Sequence, residues 1–270
     1  MPQRKNFWKK TNMNHFLLVG NGFIANKHIE AIQKNGGKLV AVADIDPEKE
    51  IKGIPFYTDY REALDKVDAV SICTPNDSHV EIIREASKRG LKIICEKPVT
   101  FKPEEYEEMR KVPNLFGMLQ LRHLPEWEEM FKAARTAQEA ELKVEIRRSR
   151  GYKNSWKGDP KRTGGLLITI GCHYFDIVGQ LFGYEGFDSF KNGDEIKATG
   201  TLLYPVEKVN WKIELTEEQE TYERSITIDG KKFDLVQKSN LHIDVYEDFM
   251  YGRGTTMEDE EQILNMISRI

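Results

Sequence analysis

Short apolar runs and helix-period segments alternate along the first 120 residues. Residues 15–19 are an apolar run rich in strand formers, broken by Gly20-Asn21-Gly22-Phe23-Ile24-Ala25. In 26–35, Ile29 and Ile32 recur at helical spacing before Gly36-Gly37. The predicted order is strand, glycine turn, helix. A second strand, 39–43, ends at Asp44. Residues 57–60 and 61–66 predict a short strand and helix, and 67–73 the next strand. Thr74-Pro75-Asn76-Asp77-Ser78-His79 then leads into a helix with Val80, Ile83 and Ala86 on one face. Asp77 or Ser78 is its expected cap, and Lys88-Arg89-Gly90 closes it. The run 91–95 is a further buried strand that stops at Glu96-Lys97-Pro98. Pro98 cannot donate to a ladder and holds its predecessor extended. Glu96 and Lys97 are therefore expected at the carboxyl end of that strand, the edge where open α/β sheets bind ligands. A helix over 103–110 and a brief strand over 115–119 complete this half.

From Gln120 the pattern changes. A helix is predicted over 125–140, and Val144 and Ile146 then alternate with polar residues as in a half-buried strand. Residues 164–183 read as an apolar helix, 196–215 and 222–235 as strands, and 241–250 and 257–270 as helices. Strands alternating with helices imply parallel βαβ units with right-handed crossovers. The expected fold class is α/β. An N-terminal Rossmann dinucleotide-binding domain spans 13–119, and a C-terminal α+β domain with an open, mostly antiparallel sheet spans 120–270. Residues 1–12 form a flexible basic extension without an acid.

Composition narrows the class. A net charge of −4 predicts neither general nucleic-acid binding nor membrane adhesion. No apolar run approaches a transmembrane length, and the N-terminus lacks the apolar core of a signal peptide. Cys73, Cys95 and Cys172 are an odd count without a close pair, which predicts reduced thiols in a cytoplasm and neither a disulfide framework nor a zinc site.

The glycine turn carries the first chemistry. Gly20 and Gly22 stand at the first two positions of the dinucleotide fingerprint, and Ala25 takes the third. Residues without a Cβ admit a pyrophosphate, and the helix N-terminus adds N–H groups and a dipole. Phe23 and Ile24 complete the turn. Asp44 stands where the fingerprint expects an acid for the adenosine ribose hydroxyls, and Ile45 follows where an NADP site would more often carry arginine. The expected cofactor is NAD. Thr74, Pro75 and Asn76 should line its cleft, and His79 is expected to touch it.

Gly20-Asn21-Gly22-Phe23-Ile24-Ala25, Cys73-Thr74-Pro75-Asn76 with His79, Glu96-Lys97-Pro98, and Gly164-Gly165 with Gly171 and His173 follow one another in a familiar order. The chain resembles the glucose–fructose oxidoreductase / inositol dehydrogenase (Gfo/Idh/MocA) family. Leu119-Gln120-Leu121-Arg122-His123, Ser155-Trp156-Lys157-Gly158-Asp159-Pro160, Arg224 to Gly230, and Leu241-His242 with Gly252-Arg253-Gly254 resemble its nucleotide-sugar branch. That branch oxidises the C3 hydroxyl of UDP-N-acetylglucosaminuronic acid on the way to di-amino uronates of bacterial surface polysaccharides. The resemblance implies NAD(H), a nucleotide-sugar substrate, a 2-oxo acid as a partner in cofactor recycling, and a homo-oligomer (dimer or tetramer) packed through the C-terminal sheet. It also implies that Glu96 binds the nicotinamide ribose and that Arg122 and Arg224 contact substrate. Many members carry Asp where this chain has Thr169, and the chain is trimmed around residues 47–57 and 183–200.

Thr169, His173 and Asp176, spaced i, i+4, i+7, would share one helix face. Oxidising a secondary alcohol needs a hydride acceptor and a base. Either His173 takes the proton while the Lys97 ammonium stabilises the oxygen, or Lys97 is itself the base. Asp176 is expected to be structural. Between Arg147 and Arg162 stand seven basic residues and one acid, Asp159, a run suited to an acidic substrate. Arg150, Tyr152, Lys153, Trp156 and Lys157 are its candidate contacts, with Thr169, His173 and Lys97 at the reacting end. No metal is expected.

Overall fold

The computed structural model describes residues 15–148, 150–193, 197–204, 207–216, 223–237 and 239–270, without the side chains of 150, 153 and 187–193. The expected extension, residues 1–12, lies outside the described residues. The elements in the first half are β1 (His15–Val19), α1 (Ala25–Lys34), β2 (Lys38–Ala43), β3 (Phe56–Tyr57), β4 (Ala69–Ile72), α2 (His79–Lys88), β5 (Lys92–Cys95), α3 (Pro103–Arg110) and β6 (Leu115–Gly117). Their strands form one sheet in the order β3-β2-β1-β4-β5-β6, and every pairing in it is parallel. The strand order reverses between β1 and β4. The glycine turn after β1 and the Thr74-Pro75 turn after β4 therefore flank the crevice at the carboxyl edge. Gly20 is required there: φ is +90°, and a Cβ would lie 2.9 Å from the Cys73 carbonyl.

The second half contains α4 (Trp127–Ala134), β7 (Glu139–Arg147), α5 (Arg150–Lys153), α6 (Pro160–Thr163), α7 (Cys172–Phe182), β8 (Phe187–Gly193), β9 (Lys197–Leu203), β10 (Lys208–Thr216), β11 (Arg224–Ile228), β12 (Lys231–Asp234), α8 (His242–Met250) and α9 (Met257–Ser268). Its sheet runs β12-β11-β7-β10-β9-β8, antiparallel except between β7 and β10. The β11–β12 hairpin turns on Asp229 and Gly230, both at positive φ, as an Asp-Gly hairpin requires. α4 ends at Ala134, short of the expected 140, because Glu139 and Ala140 already pair in β7.

Two expectations are corrected by packing. The helical stretch Pro160–Phe182 is long and apolar enough, by length and composition, to cross a membrane. Here Leu166, Ile170, Phe175, Ile177 and Val178 are buried in the core of the second domain, which explains their apolarity. The helical spacing is not uniform either, because residues 167–171 form a π turn leading into α7.

The last helices return to the first domain. Val245, Tyr246, Phe249 and Met250 of α8 pack with Phe16, Ala31, Ile32, Ile94 and Met118. The Phe249 ring lies 6.2 Å from Phe16 and 5.7 Å from Phe116. Met257 and Leu264 of α9 join the core on the other side of the same sheet. α9 starts in a capping box between Thr256 and Asp259. Packing thus carries the chain back across residue 120 after the second sheet is complete. Phe249→Ala should cost about 3–5 kcal/mol, read as a lower midpoint in urea unfolding. A change below about 1 kcal/mol would mean that α8 contributes little to the first core.

Candidate active site

The crevice opens into a cleft of about 810 Å³ lined by both domains. Gly20, Gly22, Phe23, Ile24, Asp44, Thr74, Pro75 and Asn76 line one part of it. Glu96, Lys97, Tyr152, Trp156, Lys157, Thr169, His173 and Arg224 line the rest. The Asp44 carboxylate closes the glycine turn, accepting from Asn21 N at 2.7 Å and Asp46 N at 3.0 Å. Ile45 beside it is 91% exposed, so no cation stands at this position to meet a 2′-phosphate.

Glu96 sits where β5 meets the cleft and is 15% exposed. Its Oε1 accepts from His28 Nε2 of α1 at 3.0 Å, and His242 Nε2 of α8 lies 3.6 Å away. A carboxylate only accepts, so His28 Nε2 carries a proton and donates to it. Tyr246 O–H donates to Ser71 Oγ at 2.7 Å, and Ser71 Oγ lies 3.1 Å from His28 Nδ1. The Tyr246 hydroxyl also lies 2.9 Å from His28 Nδ1, so Tyr246, Ser71 and His28 form a closed polar triangle that links α8 to Glu96 at the cleft. Burial raises the proton affinity of Glu96, but the neighbouring His242 ring and the hydrogen bond from His28 outweigh it and hold the carboxyl well below its ordinary range. The ligand atoms of His28, Glu96 and His242 lie within 4.8 Å of one another, a spacing that could hold a metal ion. The direct His28–Glu96 hydrogen bond, however, already uses two of those atoms.

Lys97 extends from the turn after β5, at a cis bond to Pro98, and its Nζ donates to the Thr169 carbonyl. This contact joins the two domains at the cleft floor. The π turn places Thr169 and His173 together in the cleft lining, with Thr169 Oγ1 turned back to Thr163 O at 3.1 Å. His173 Nδ1 is buried and has no hydrogen-bond partner in the described structure. Burial first, and then the Lys97 charge, hold the His173 ring well below the ordinary histidine range, so it is neutral at neutral pH.

Two expected contacts, His79 and Arg122, lie elsewhere. His79 is fully buried, its ring nitrogens 2.9 Å from the Thr74 and Pro98 carbonyls, so it ties the two cofactor turns together beneath the cleft. Arg122 is drawn off the cleft by acids: it meets both Asp176 oxygens at 2.7 and 2.9 Å and Asp259 at 3.2 Å. Asp176, expected to be structural, also accepts from Tyr184 O–H at 2.8 Å and is held in this buried ion pair. Neither Asp77 nor Ser78 caps α2: Asp77 pairs with Arg162 at 2.6 and 3.2 Å, and Ser78 Oγ turns back to Pro75 O. The side chains of Arg150 and Lys153 lie outside the described residues.

The structure adds residues that spacing did not single out. Arg148 and Tyr174 line the cleft, and the Arg148 guanidinium lies 5.3 Å over the Tyr152 ring. Lys157 reaches from the second domain to within 5.8 Å of the Phe23 ring. Burial, then the nearby Arg148 and Lys97 charges, lower its affinity for a proton. Arg148 belongs to the basic run, which was the available signal. Nothing local marked His28, and His242 was singled out only as part of the Leu241-His242 resemblance.

Residues 14–113 match the oxidoreductase family with an NAD-binding Rossmann fold, and residues 138–248 match that family's C-terminal alpha/beta domain. The chain belongs to the Gfo/Idh/MocA oxidoreductase family. Its cofactor is NAD. Inositol 2-dehydrogenase of Rhizobium meliloti is 31% identical over 186 residues, covering 63% of this chain and 55% of the relative. The chain spans about half the length of the curated relatives it matches. The WlbA (WbpB) dehydrogenase from Thermus thermophilus, solved with NAD and UDP-GlcNAcA, is 26% identical with a TM-score of 0.82, covering 96% of this chain and 95% of that one. The same enzyme was also solved with NAD and alpha-ketoglutarate. The WlbA dehydrogenase from Bordetella pertussis shares the fold, with a TM-score of 0.83 at 20% identity, covering 97% and 95%.

Asp44→Ala removes the acceptor that closes this Gfo/Idh/MocA glycine turn. It should weaken NAD about ten- to hundredfold in titration calorimetry, as loss of charged hydrogen bonds would. An unchanged affinity would remove Asp44 from the cofactor site. A second outcome follows from burial. His79, His123, His173 and His242 all have proton affinities lowered by burial. The unfolded chain therefore binds more protons once pH drops below the unfolded histidine value of 6.5. Stability is full above that value and falls below it by up to about 1.4 kcal/mol per pH unit for each histidine that stays neutral. Glu260, raised by burial, opposes this with one proton. Urea unfolding at about pH 7 and about pH 5.5 should differ by a few kcal/mol, and equal midpoints would contradict it.

Proposed function

We propose that the protein is an NAD-dependent dehydrogenase that oxidises the C3 hydroxyl of UDP-N-acetylglucosaminuronic acid to the 3-keto sugar. The observation that carries this reading is charge. Lys97, Arg148, Lys157 and Arg224 converge on one cleft with a neutral histidine and the dinucleotide turn. A UDP-uronate brings about three negative charges on its diphosphate and carboxylate, which guanidinium forks and ammonium groups suit. The likeness to the Thermus thermophilus enzyme solved with UDP-GlcNAcA supports it.

When bound, NAD supplies the hydride acceptor. The chain supplies the rest. Neutral His173 takes the proton from the sugar hydroxyl, since its lowered proton affinity leaves the ring free at neutral pH. Lys97, fixed by the Thr169 carbonyl, donates to the same oxygen and stabilises its developing charge. Glu96, held ionised by His28 and His242, accepts from the nicotinamide ribose. Trp156 and Tyr152 pack against the substrate rings. The 3-keto product would enter di-amino uronate synthesis for a bacterial surface polysaccharide, in the cytoplasm. A 2-oxo acid reoxidises the cofactor, and the protein acts as a dimer or tetramer. The open face of the second sheet suits pairing: Lys143, Lys212, Glu145 and Glu223 form a cross-strand ion ladder there.

The curated relatives favour a second reading, oxidation of inositol or another polyol. A neutral polyol brings no charge to match the cations of this cleft, which ranks it second. Absorbance of NADH separates the readings as the protein meets NAD with UDP-N-acetylglucosaminuronate, UDP-N-acetylglucosamine or inositol, with and without 2-oxoglutarate. Turnover is expected on the uronate, lowered about 10²- to 10⁴-fold in His173→Ala and strongly in Lys97→Ala. Turnover on inositol alone would replace the proposal. Cofactor binding with no reduction by any sugar would make the protein an NAD-binding sensor.

A further inference from the structure

Glu260 lies on α9, outside the cleft, and no part of the chemistry above uses it. It is 2% exposed. Its Oε2 accepts from Val99 N at 2.7 Å, so α9 holds the turn that presents Lys97. Its Oε1 has no hydrogen-bond partner in the described structure. That oxygen occupies the space above Gly117, where a Cβ would lie 1.9 Å from it. A glycine on β6 therefore makes room for a carboxyl. Beside it is a void of about 10 Å³ lined by Lys97, Cys172 and Glu260 among apolar neighbours, room for roughly one water. Lys97 and Glu260 thus line one small void, from the turn after β5 and from α9.

A buried carboxyl oxygen without a partner carries a desolvation cost that glutamine or leucine would lessen. We propose that Glu260 is a positioning residue for Lys97: it fixes the Lys97-Pro98-Val99 turn through Val99, and its carboxylate favours the ammonium form of Lys97 across the shared void. The inference deepens the role given to Lys97 above and rests on that reading only for its effect on turnover. The charged and titratable groups around Glu260 are Lys97 on the turn, Arg122, Asp176 and Cys172 of α7, Cys95 of β5, and Tyr106 of α3. Burial pushes the Glu260 carboxyl up to about 8, against the pull of the Val99 N–H, Arg122 and Lys97. Its charge therefore appears as pH rises through about that value, and its hold on the ammonium strengthens there.

Glu260→Gln keeps an acceptor for Val99 and removes the charge. The full-length chain and this variant are pulsed with trace acetic anhydride from about pH 7 to 10, and Lys97 acylation is quantified by peptide mass spectrometry. In the variant Lys97 should acylate about tenfold faster above about pH 8, as loss of a nearby opposite charge predicts, while Lys92 keeps its rate. Identical Lys97 profiles in two folded proteins would overturn the proposal. Should the variant not fold, the reciprocal test uses Lys97→Met and carbon-13 NMR of the Glu260 carboxyl. Its titration should move upward by about one pH unit, and an unmoved midpoint would overturn the proposal equally. On the uronate, Glu260→Gln should lower kcat about tenfold above about pH 8, where the carboxylate is charged, and much less near about pH 7, with NAD affinity unchanged. Absence of turnover in the unaltered protein would refute the substrate reading and leave the acylation result standing.

Discussion

A carboxylate at the end of a buried strand must be hydrogen-bonded, or burial protonates it. Glu96 meets this condition through His28, and groups from two further segments surround that pair. His28 comes from α1, Ser71 from β4, and His242 and Tyr246 from α8. The constraint explains why the chain returns to its first domain after finishing the second sheet. α8 supplies the aromatic face that closes the Rossmann core and the polar groups that end at the cleft. The apolar and polar roles are carried by the same helix, since Tyr246 packs beside Phe16 and donates to Ser71.

The two domains are joined by polar contacts around the cleft mouth and floor. Lys97 meets the Thr169 carbonyl, Arg162 meets Asp77, and Asn76 Nδ2 donates to the Thr163 carbonyl at 3.4 Å. Arg122 sits behind them in a network with Asp176, Asp259 and Tyr184 that links α7 to α9. Of these, the largely buried Arg122–Asp176 pair adds little net stability against apolar substitutes, yet breaking it would leave an uncompensated charge. The effect of all these contacts is to fix how α7, and with it His173, faces the turn that carries Lys97.

Within the cleft the electrostatics are one-sided. Lys97, Arg148 and Lys157 lie close enough that burial and mutual repulsion act on Lys157, and Lys97 further depresses His173. An anionic ligand relieves this repulsion as it enters. Burial, and then the Lys97 charge, keep the histidine neutral, so an anionic ligand and an uncharged imidazole can share this cleft.

Several features were legible in the sequence because they are backbone requirements. The glycine turn, Asp44 at the end of β2, and Glu96-Lys97-Pro98 at the end of β5 are local, and each follows from what a strand end, a tight turn or a proline allows. The alternation of apolar runs and helix-period segments sufficed for the parallel sheet and, after residue 120, for the mostly antiparallel one. Tertiary structure decided which polar side chains face the cleft. His79 and Arg122 turned away from it because carbonyls and acids distant in sequence or in another element claimed them. Thr169 and His173 stayed together, but through a π turn that regular helical spacing did not foresee. His28, Tyr246 and Glu260 carry no local mark, since their roles depend on neighbours many residues away. A sequence determines what each short segment can do, but the partner of a buried polar group is set only when distant segments meet and every donor and acceptor must be satisfied together.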